Sequence, residues 1–443
     1  MHHSFRNKLG AITALFFLLK LTTITAQTLY FPPTTGTTWE TVTPQSLGWC
    51  APKVDSLYTF LGTRDTKAFI VLKNGRIVLE KYYGTFTQDS AWYWASAGKT
   101  LTGFLAGIAQ QDGLLNINDS TSKYLGVGWT SLPSAKERLI TVRHNLMMAT
   151  GLDDGVPDDN CTLPSCFTYK ADAGTRWAYH NAAYYMVQNV IERVSGLTMN
   201  QYTTQKLQAK TGFTGLWANN VFFSKPRSMA RFGLLLLNKG KWNQNVVLSD
   251  TAYFRAMTNT SQNLNKSYGY LTWLNGKGSF MLPTTQVVSP TNLVPSAPAD
   301  MYCALGKNDQ KIYVVPSQNL VVIRMGEKAG NTSLNALSNF DNELWQRLVA
   351  LNCLGVPTTE VVDNQEFTVY PNPATNVLNI EFKDLTRTNL IDFNGQIIDI
   401  NGRILKTFNH QKNVDIRGLP RGFYALKLFY TEGSLLGVNT FVK

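Results

Sequence analysis

Two short clusters of residues in this chain have the types and spacing that chemistry needs. The first is Ser96-Ala97-Gly98-Lys99. The apolar residues that follow, Leu101, Phe104, Leu105, Ile108 and Ala109, recur at helical intervals, so the spacing predicts an amphipathic helix opening at the serine and ending near Gly113. Positions three apart on a helix lie on one face, which makes Ser96 and Lys99 neighbours. A serine hydroxyl becomes a useful nucleophile only when a base takes its proton. A lysine can be that base once burial has disfavoured its charged form. The second cluster is Tyr179-His180-Asn181, ahead of a helix predicted over 182–194. A phenol beside a lysine amine can be held partly as phenolate and relay protons, and an asparagine amide can hold a substrate carbonyl or orient the lysine. The same cluster also reads as an ordinary helix start, with Asn181 as cap and Tyr179 packed. His180, Trp177 and Tyr184 are read as structural.

The elements that must position these groups follow from the rest of the sequence. Residues 51–61 suit a first helix. Two β-rich runs, 68–72 and 77–83, flank Lys73-Asn74-Gly75-Arg76, a hairpin signal. Residues 114–250 read as mostly helix and loop, with helices near 140–150 and 227–237. A second hairpin is expected from runs 311–315 and 320–324, then a helix over 334–351. Strands at both ends and helices between predict an α+β fold: one antiparallel sheet flanked by helices and closed by both ends of the domain, with a helical subdomain beside it. The site would lie in the cleft between them.

Beyond a linker at 355–365, short strands alternate with turns, including runs 377–382, 397–405 and 422–428. Residues 366–443 are therefore expected to form a small all-β sandwich. At the other end, residues 1–26 have a basic start, an apolar run too short to span a bilayer and a cleavage point after Ala26. They read as an export signal, leaving 27–354 as the main domain.

The net charge of +12 comes without any dense basic run, which argues against nucleic acid as a partner, and no segment is apolar enough for a stable membrane span. Five cysteines fit an oxidising compartment with one left over. Cys161 and Cys166 are the expected short staple. Cys50 and Cys353 lie near the two ends of the large domain and would pair if those ends pack together, leaving Cys303 free. No spacing resembles a metal site.

With these residues in place, roughly 45–354 resembles the serine β-lactamase and penicillin-binding-protein superfamily, especially class C β-lactamases, related esterases and 6-aminohexanoate-dimer hydrolases. Ser96-Ala97-Gly98-Lys99 is similar to the family's nucleophile and base motif, and Tyr179-His180-Asn181 to its Tyr-x-Asn. Segments 140–152 and 228–233 look like family segments too. The resemblance implies acyl transfer through Ser96, with Lys99 and Tyr179 moving the proton, Asn181 and Lys307 meeting the substrate, and no metal or organic cofactor. Lys307 is placed by Gly306-Lys307-Asn308-Asp309-Gln310, which is similar to the third family motif. Asp309 stands where glycine is usual. There it is expected to narrow the cleft and partly offset the cation, which favours an acyl substrate other than a β-lactam, and it also keeps open a non-catalytic module that binds peptide or cell-wall fragments. The oxyanion hole is expected from the N–H groups of Ser96 and Gln310.

The tail resembles the C-terminal sorting domain of type IX secretion cargo, on Tyr370-Pro371-Asn372-Pro373, Asn401-Gly402-Arg403, Leu419-Pro420-Arg421-Gly422 and Phe441-Val442-Lys443. This implies passage through outer-membrane secretion machinery to the cell surface or medium.

Overall fold

Asn74 and Gly75 both adopt positive φ, 50° and 80°, the turn that matches the twist of a two-residue hairpin. Gly75 is also required sterically, because a Cβ there would come within 1.9 Å of the Tyr30 carbonyl oxygen. The structure, a computed structural model, describes residues 29–330, 337–352, 367–382, 392–399, 403–431 and 435–443. The expected export signal and linker lie outside them. The chain divides into two compact units, Met1–Cys353 and Leu354–Lys443.

In the first unit, helix α1 (Ala51–Gly62) leads into the hairpin of β1 (Thr66–Lys73) and β2 (Arg76–Tyr82). Helix α2 (Gly98–Gln111) follows, then α3 (Val142–Met147), α4 (Asn181–Ser195) and α5 (Pro226–Leu237). The chain returns to the sheet through β3 (Trp273–Leu274), β4 (Tyr302–Gly306), β5 (Gln310–Val315) and β6 (Leu320–Gly326), and α6 (Asn339–Val349) closes the unit. The six strands form one sheet in the order β2-β1-β6-β5-β4-β3, antiparallel throughout. Its centre joins the two ends of the unit: β1 pairs with β6 from Thr66 opposite Gly326 to Lys73 opposite Leu320.

Both faces of the sheet are covered. Gly233 of α5 lets that helix close onto Val321 and Ile312, where a Cβ would meet their methyls at 2.5 and 3.2 Å. Tyr313, the next residue along β5 and so on the opposite face, meets Trp345 of α6 edge-on at 5.6 Å. Phe340 of α6 in turn stacks on Phe60 of α1.

Several expectations are corrected here. Helix α2, expected as amphipathic, is buried on every side from Gly98 to Ala109 and so is a central helix. Helix α6 begins at Asn339, because Ser338 caps it by accepting from the Phe340 N–H while its own N–H donates to Asp341. Part of the expected start, 331–336, lies outside the described residues. The short strands β3 and β4 went unread in the sequence.

Cys161 and Cys166 form a disulfide, and Cys303 is free and buried. Cys50 is also disulfide-bonded. Its N–H donates to the Leu351 carbonyl at 2.9 Å, and Trp49 bridges to Asn352, so the ends of the unit do meet. Cys353 lies outside the described residues.

Among its described residues the second unit is all β. Strands β7 (Phe367–Tyr370), β8 (Val377–Phe382), β9 (Phe393–Asp399), β10 (Ile404–Asn409), β11 (Asn413–Asp415), β12 (Phe423–Tyr430) and β13 (Leu435–Val442) make two sheets, β7-β8-β11 and β10-β9-β12-β13. One core joins them, including Leu378, Ile380 and Phe382 from one sheet and Phe393, Ile397, Leu426 and Leu428 from the other, which makes a sandwich. The expected strand over 397–405 is divided between β9, which ends at Asp399, and β10, which begins at Ile404, and the Arg403 N–H donates to the Asp399 carboxylate.

Candidate active site

The site begins with an anchor. Trp94 is fully buried, wedged against Phe213, Phe222 and Phe232, and its indole N–H donates to Ser224 Oγ at 2.8 Å. Ala95 then turns with φ of +46°, an uncommon conformation for a residue with a Cβ. Ser96 therefore sits in a one-turn 3₁₀ segment, Ala95–Ala97, that runs into α2 at Gly98. Lys99 follows on the first turn of α2 and is buried. Its Nζ stands 2.9 Å from Ser96 Oγ and 2.7 Å from Asn181 Oδ1, over the rings of Tyr184 and Tyr179 at 4.2 and 4.8 Å. Burial pulls the Lys99 amine down from 10.5 to about 7, against the opposing pull of Asp159. It can thus lose its proton near neutral pH.

Helix α4 positions the second cluster. His180 is its N-cap residue in extended geometry and makes no side-chain cap bond. Asn181 does not cap the helix either: its amide oxygen faces Lys99 and its Nδ2 donates to Asp159 Oδ2 at 2.8 Å. Tyr179 packs among Trp177, Tyr268 and Trp273. Burial raises its phenol above the ordinary tyrosine value, outweighing the downward pull of Ser96 and Trp273. The expected partial phenolate is therefore corrected to a protonated phenol. His180 is buried, its ring edge-on to Phe167.

The opposite wall is the end of β4. A Cβ on Gly306 would meet the Trp94 carbonyl oxygen at 2.3 Å and the Ala97 nitrogen at 3.0 Å, so the strand lies directly against the serine turn. The next residues form a tight turn with positive φ at Asn308 and Asp309. Lys307 is exposed at the rim of the cavity. Asp309 is not. It turns into the core, where its carboxylate accepts from Ser338 Oγ at 2.7 Å and the Ala329 N–H at 2.9 Å and pairs with the fully buried Lys311 at 3.1 Å. The reading of Asp309 as a cleft-narrowing, substrate-facing residue is thereby corrected: the backbone turns it toward buried partners. Gln310 is buried as well, its amide donating to the carbonyls of Asn308 and Gly326. It braces the turn and is absent from the cavity wall, where Lys307 stands instead.

A cavity of about 410 Å³ is lined by Ser96, Lys99, Tyr179, Asn181 and Lys307 together with Asp159, Asn160, Tyr184, Tyr185 and Thr284. Asp159, Asn160 and the supporting ring of Trp273 were not singled out from the sequence. Asp159 lies 22 residues before Asn181 in a loop legible only for its cysteines, and no spacing rule links the two.

Comparison with known proteins agrees with this architecture. Residues 61–221 match the Beta-lactamase family and residues 368–435 the Secretion system C-terminal sorting domain. An uncharacterised protein of Alkalihalophilus pseudofirmus is 22% identical, the match covering 59% of this chain and 83% of the relative. Among solved structures, a candidate 6-aminohexanoate-dimer hydrolase from Bacillus anthracis superposes with a TM-score of 0.57 at 15% identity, over 74% of this chain and 91% of that one. A penicillin-binding-protein homologue from Caulobacter crescentus does so with a TM-score of 0.52 at 14% identity, over 68% and 98%. The chain is thus similar to the Beta-lactamase family over residues 61–221 and to the Secretion system C-terminal sorting domain over residues 368–435, and its first unit has the fold of these solved structures.

Proposed function

We propose that the protein is an exported serine hydrolase that cleaves an ester or amide through an acyl-enzyme on Ser96. One observation carries this reading: a buried amine, Lys99, lies 2.9 Å from a serine hydroxyl facing a cavity. A neutral lysine has two N–H bonds and one lone pair. Asn181 Oδ1 takes one N–H, which leaves the lone pair free to face the Ser96 hydroxyl. Ser96 Oγ attacks the substrate carbonyl carbon and its proton passes to Lys99 Nζ. The proton then moves by way of the Tyr179 phenol to the leaving oxygen or nitrogen as that bond breaks. Water, giving up a proton along the same path, releases the acyl group and restores Ser96.

The oxyanion needs two N–H donors. Ser96 supplies one. In place of Gln310, Lys307 supplies the second, because it follows Gly306 at the serine turn and lines the cavity. Its ammonium at the rim suits a substrate with an acidic or strongly polar group beside the scissile carbonyl. The cavity volume fits a small molecule or the end of a peptide. The sorting domain supports export by the type IX machinery.

Labelling with a fluorophosphonate and turnover of a nitrophenyl ester test the reading, on the parent chain and on Ser96→Ala. Both signals should vanish in the variant. Labelling or turnover that survives would remove Ser96 from its role. A cleft that binds but never labels in the parent would leave a non-catalytic module. Asp309, the residue that kept that alternative open, does not face the cleft.

A further inference from the structure

Asn181 touches Lys99, but nothing in an amide by itself decides which end does so. Its oxygen accepts and its nitrogen donates, and the two ends have nearly the same shape. Lys99 can use only the oxygen productively. With the amide reversed, an NH₂ group would face the amine and the lysine would lose the acceptor that aims it at Ser96. The chain settles the choice with a carboxylate. Asp159 Oδ2 accepts from Asn181 Nδ2 at 2.8 Å, while Asp159 Oδ1 accepts from Asn160 Nδ2 at 2.9 Å. A carboxylate without its proton can only accept, so the NH₂ end of Asn181 is claimed and its oxygen must face Lys99.

Asp159 is itself well fixed. Its carbonyl oxygen accepts from the Ala182 N–H at 2.8 Å, in the first turn of α4. The neighbouring Asn160 Oδ1 accepts from the Tyr185 hydroxyl at 2.8 Å. The next residue, Cys161, is bonded to Cys166. The loop is therefore pinned by backbone and side chain against the helix that carries Asn181, and stapled within itself by the disulfide.

We propose that Asp159 is a positioning residue for acylation, which holds Asn181 in the orientation that aims Lys99 at Ser96. This rests on the hydrolase reading above. Asp159 also acts at a distance through its charge. The groups facing the Lys99 amine are Ser96 on its own turn, Tyr179 and Asn181, Tyr184 of α4 and Asp159 from the stapled loop, with Tyr185 and Lys307 further round the cavity. Asp159 supplies the negative charge that favours protonated Lys99. Removing that charge and keeping the shape therefore makes Lys99 easier to deprotonate.

The test measures fluorophosphonate labelling rates from about pH 5 to about pH 10 on the full oxidised chain, for the parent and for Ser96→Ala, Asp159→Ala, Asp159→Asn, Asn181→Ala and Asp159→Ala/Asn181→Ala. Labelling of Ser96→Ala would sink the hydrolase reading and is scored separately. With that control silent, Asp159→Ala should label about 10- to 100-fold more slowly, and the double variant should be no slower than Asn181→Ala alone, since both act on one contact. Asp159→Asn keeps an acceptor for Asn181 but can also turn an NH₂ group toward it, so its plateau rate should fall between those of the parent and Asp159→Ala, with the acid side of its profile moved to lower pH. A role in folding alone would not move that limb. The proposal is overturned if the Asp159→Asn profile coincides with the parent's, or if the two alanine effects multiply in the double variant.

Discussion

Tyr179 and Trp273 lie nearly parallel, their ring centroids 5.8 Å apart and their planes 22° from coincident. Tyr268 closes the pen edge-on at 6.1 Å. This enclosure raises the phenol pKa above the usual tyrosine value, while burial brings Lys99 down to about 7. On the proposed reading the two groups divide the proton work, the amine acting as base and the phenol as donor. Acylation should rise with a single ionisation near pH 7 as Lys99 deprotonates. It should hold its plateau through the range where an ordinary tyrosine ionises. Tyr179→Phe is expected to lower the rate by roughly 10²–10⁴-fold. Trp273→Ala lets water reach the phenol and should bring a falling alkaline limb into view. A pH–rate series on a nitrophenyl ester checks all three.

Lys99 should weaken the fold that it serves. Its amine has a pKa of about 7 in the folded chain against 10.5 when exposed. Between these values the unfolded chain binds more protons, so stability rises with pH across that window. A tenfold change in proton affinity is worth about 1.4 kcal/mol, and holding the amine here costs on the order of 4 kcal/mol at neutral pH. Lys99→Met removes that cost but leaves the Asn181 oxygen short of a donor and the Ser96 hydroxyl without its partner, an offset of about 1–3 kcal/mol. The variant should be inactive and about 1–3 kcal/mol more stable at pH 7, with the gain shrinking toward pH 10. Urea unfolding at the two pH values measures it.

The buried charges under the site make the opposite prediction. Lys311 lies between Asp309 and Asp341, 3.1 Å from one and 2.8 Å from the other. Burial pushes the Asp309 carboxyl up, but Lys311, Ser338 and the Ala329 N–H outweigh it and hold the group at about 2. A depressed carboxylate stabilises above its unfolded value, near 4, and that contribution is lost as the pH falls toward 2. Asp309→Asn should cost about 3 kcal/mol at pH 7, and its unfolding midpoint should fall less steeply than the parent's below about pH 4. Because the same residue fixes the turn carrying Lys307, acylation should slow as well.

What the sequence could and could not say follows from the range of the interactions. Ser96 and Lys99 are three residues apart, and helical geometry alone makes them neighbours, even though Ser96 proves to sit in a 3₁₀ turn. The Asn74-Gly75 hairpin is equally local. Asp309 is different. Lys307 and Lys311 flank it at equal distance in the chain, and the choice between rim and core is made by Ser338 and Asp341 from α6, some 30 residues away. Strand β3 has only two residues, too few to show a pattern. Asp159 meets Asn181 only because a stapled loop docks on α4. Local periodicity carries none of this.

The sorting domain has its own core, so its removal should separate export from chemistry. A chain lacking residues 366–443 should stay in the cell envelope of its native host. It should still label at Ser96, since the cavity-lining residues all lie before residue 308. Fractionation followed by fluorophosphonate labelling reads both outcomes. Normal export of the truncated chain would refute the assignment of the tail.

Gly306 offers the most local test of how the site is assembled. Its φ of −130° is open to any residue, so alanine meets no backbone strain there. The obstacle is contact alone: an added Cβ would lie 2.3 Å from the Trp94 carbonyl oxygen and 3.0 Å from the Ala97 nitrogen. Neither neighbour can yield. Trp94 is locked among three phenylalanine rings, and Ala97 is the N-cap residue of the buried α2. The end of β4 must therefore move away from Ser96 and carry Lys307 with it. Gly306→Ala should cost about 1–3 kcal/mol of stability. A displacement near 1 Å should slow acylation by about 10²-fold, because donors so displaced no longer meet the oxyanion. Lys99 keeps its surroundings, so the pH midpoint of the residual rate should stay where it is in the parent. A Gly306→Ala chain that acylates at the parental rate would show that β4 takes no part in the site.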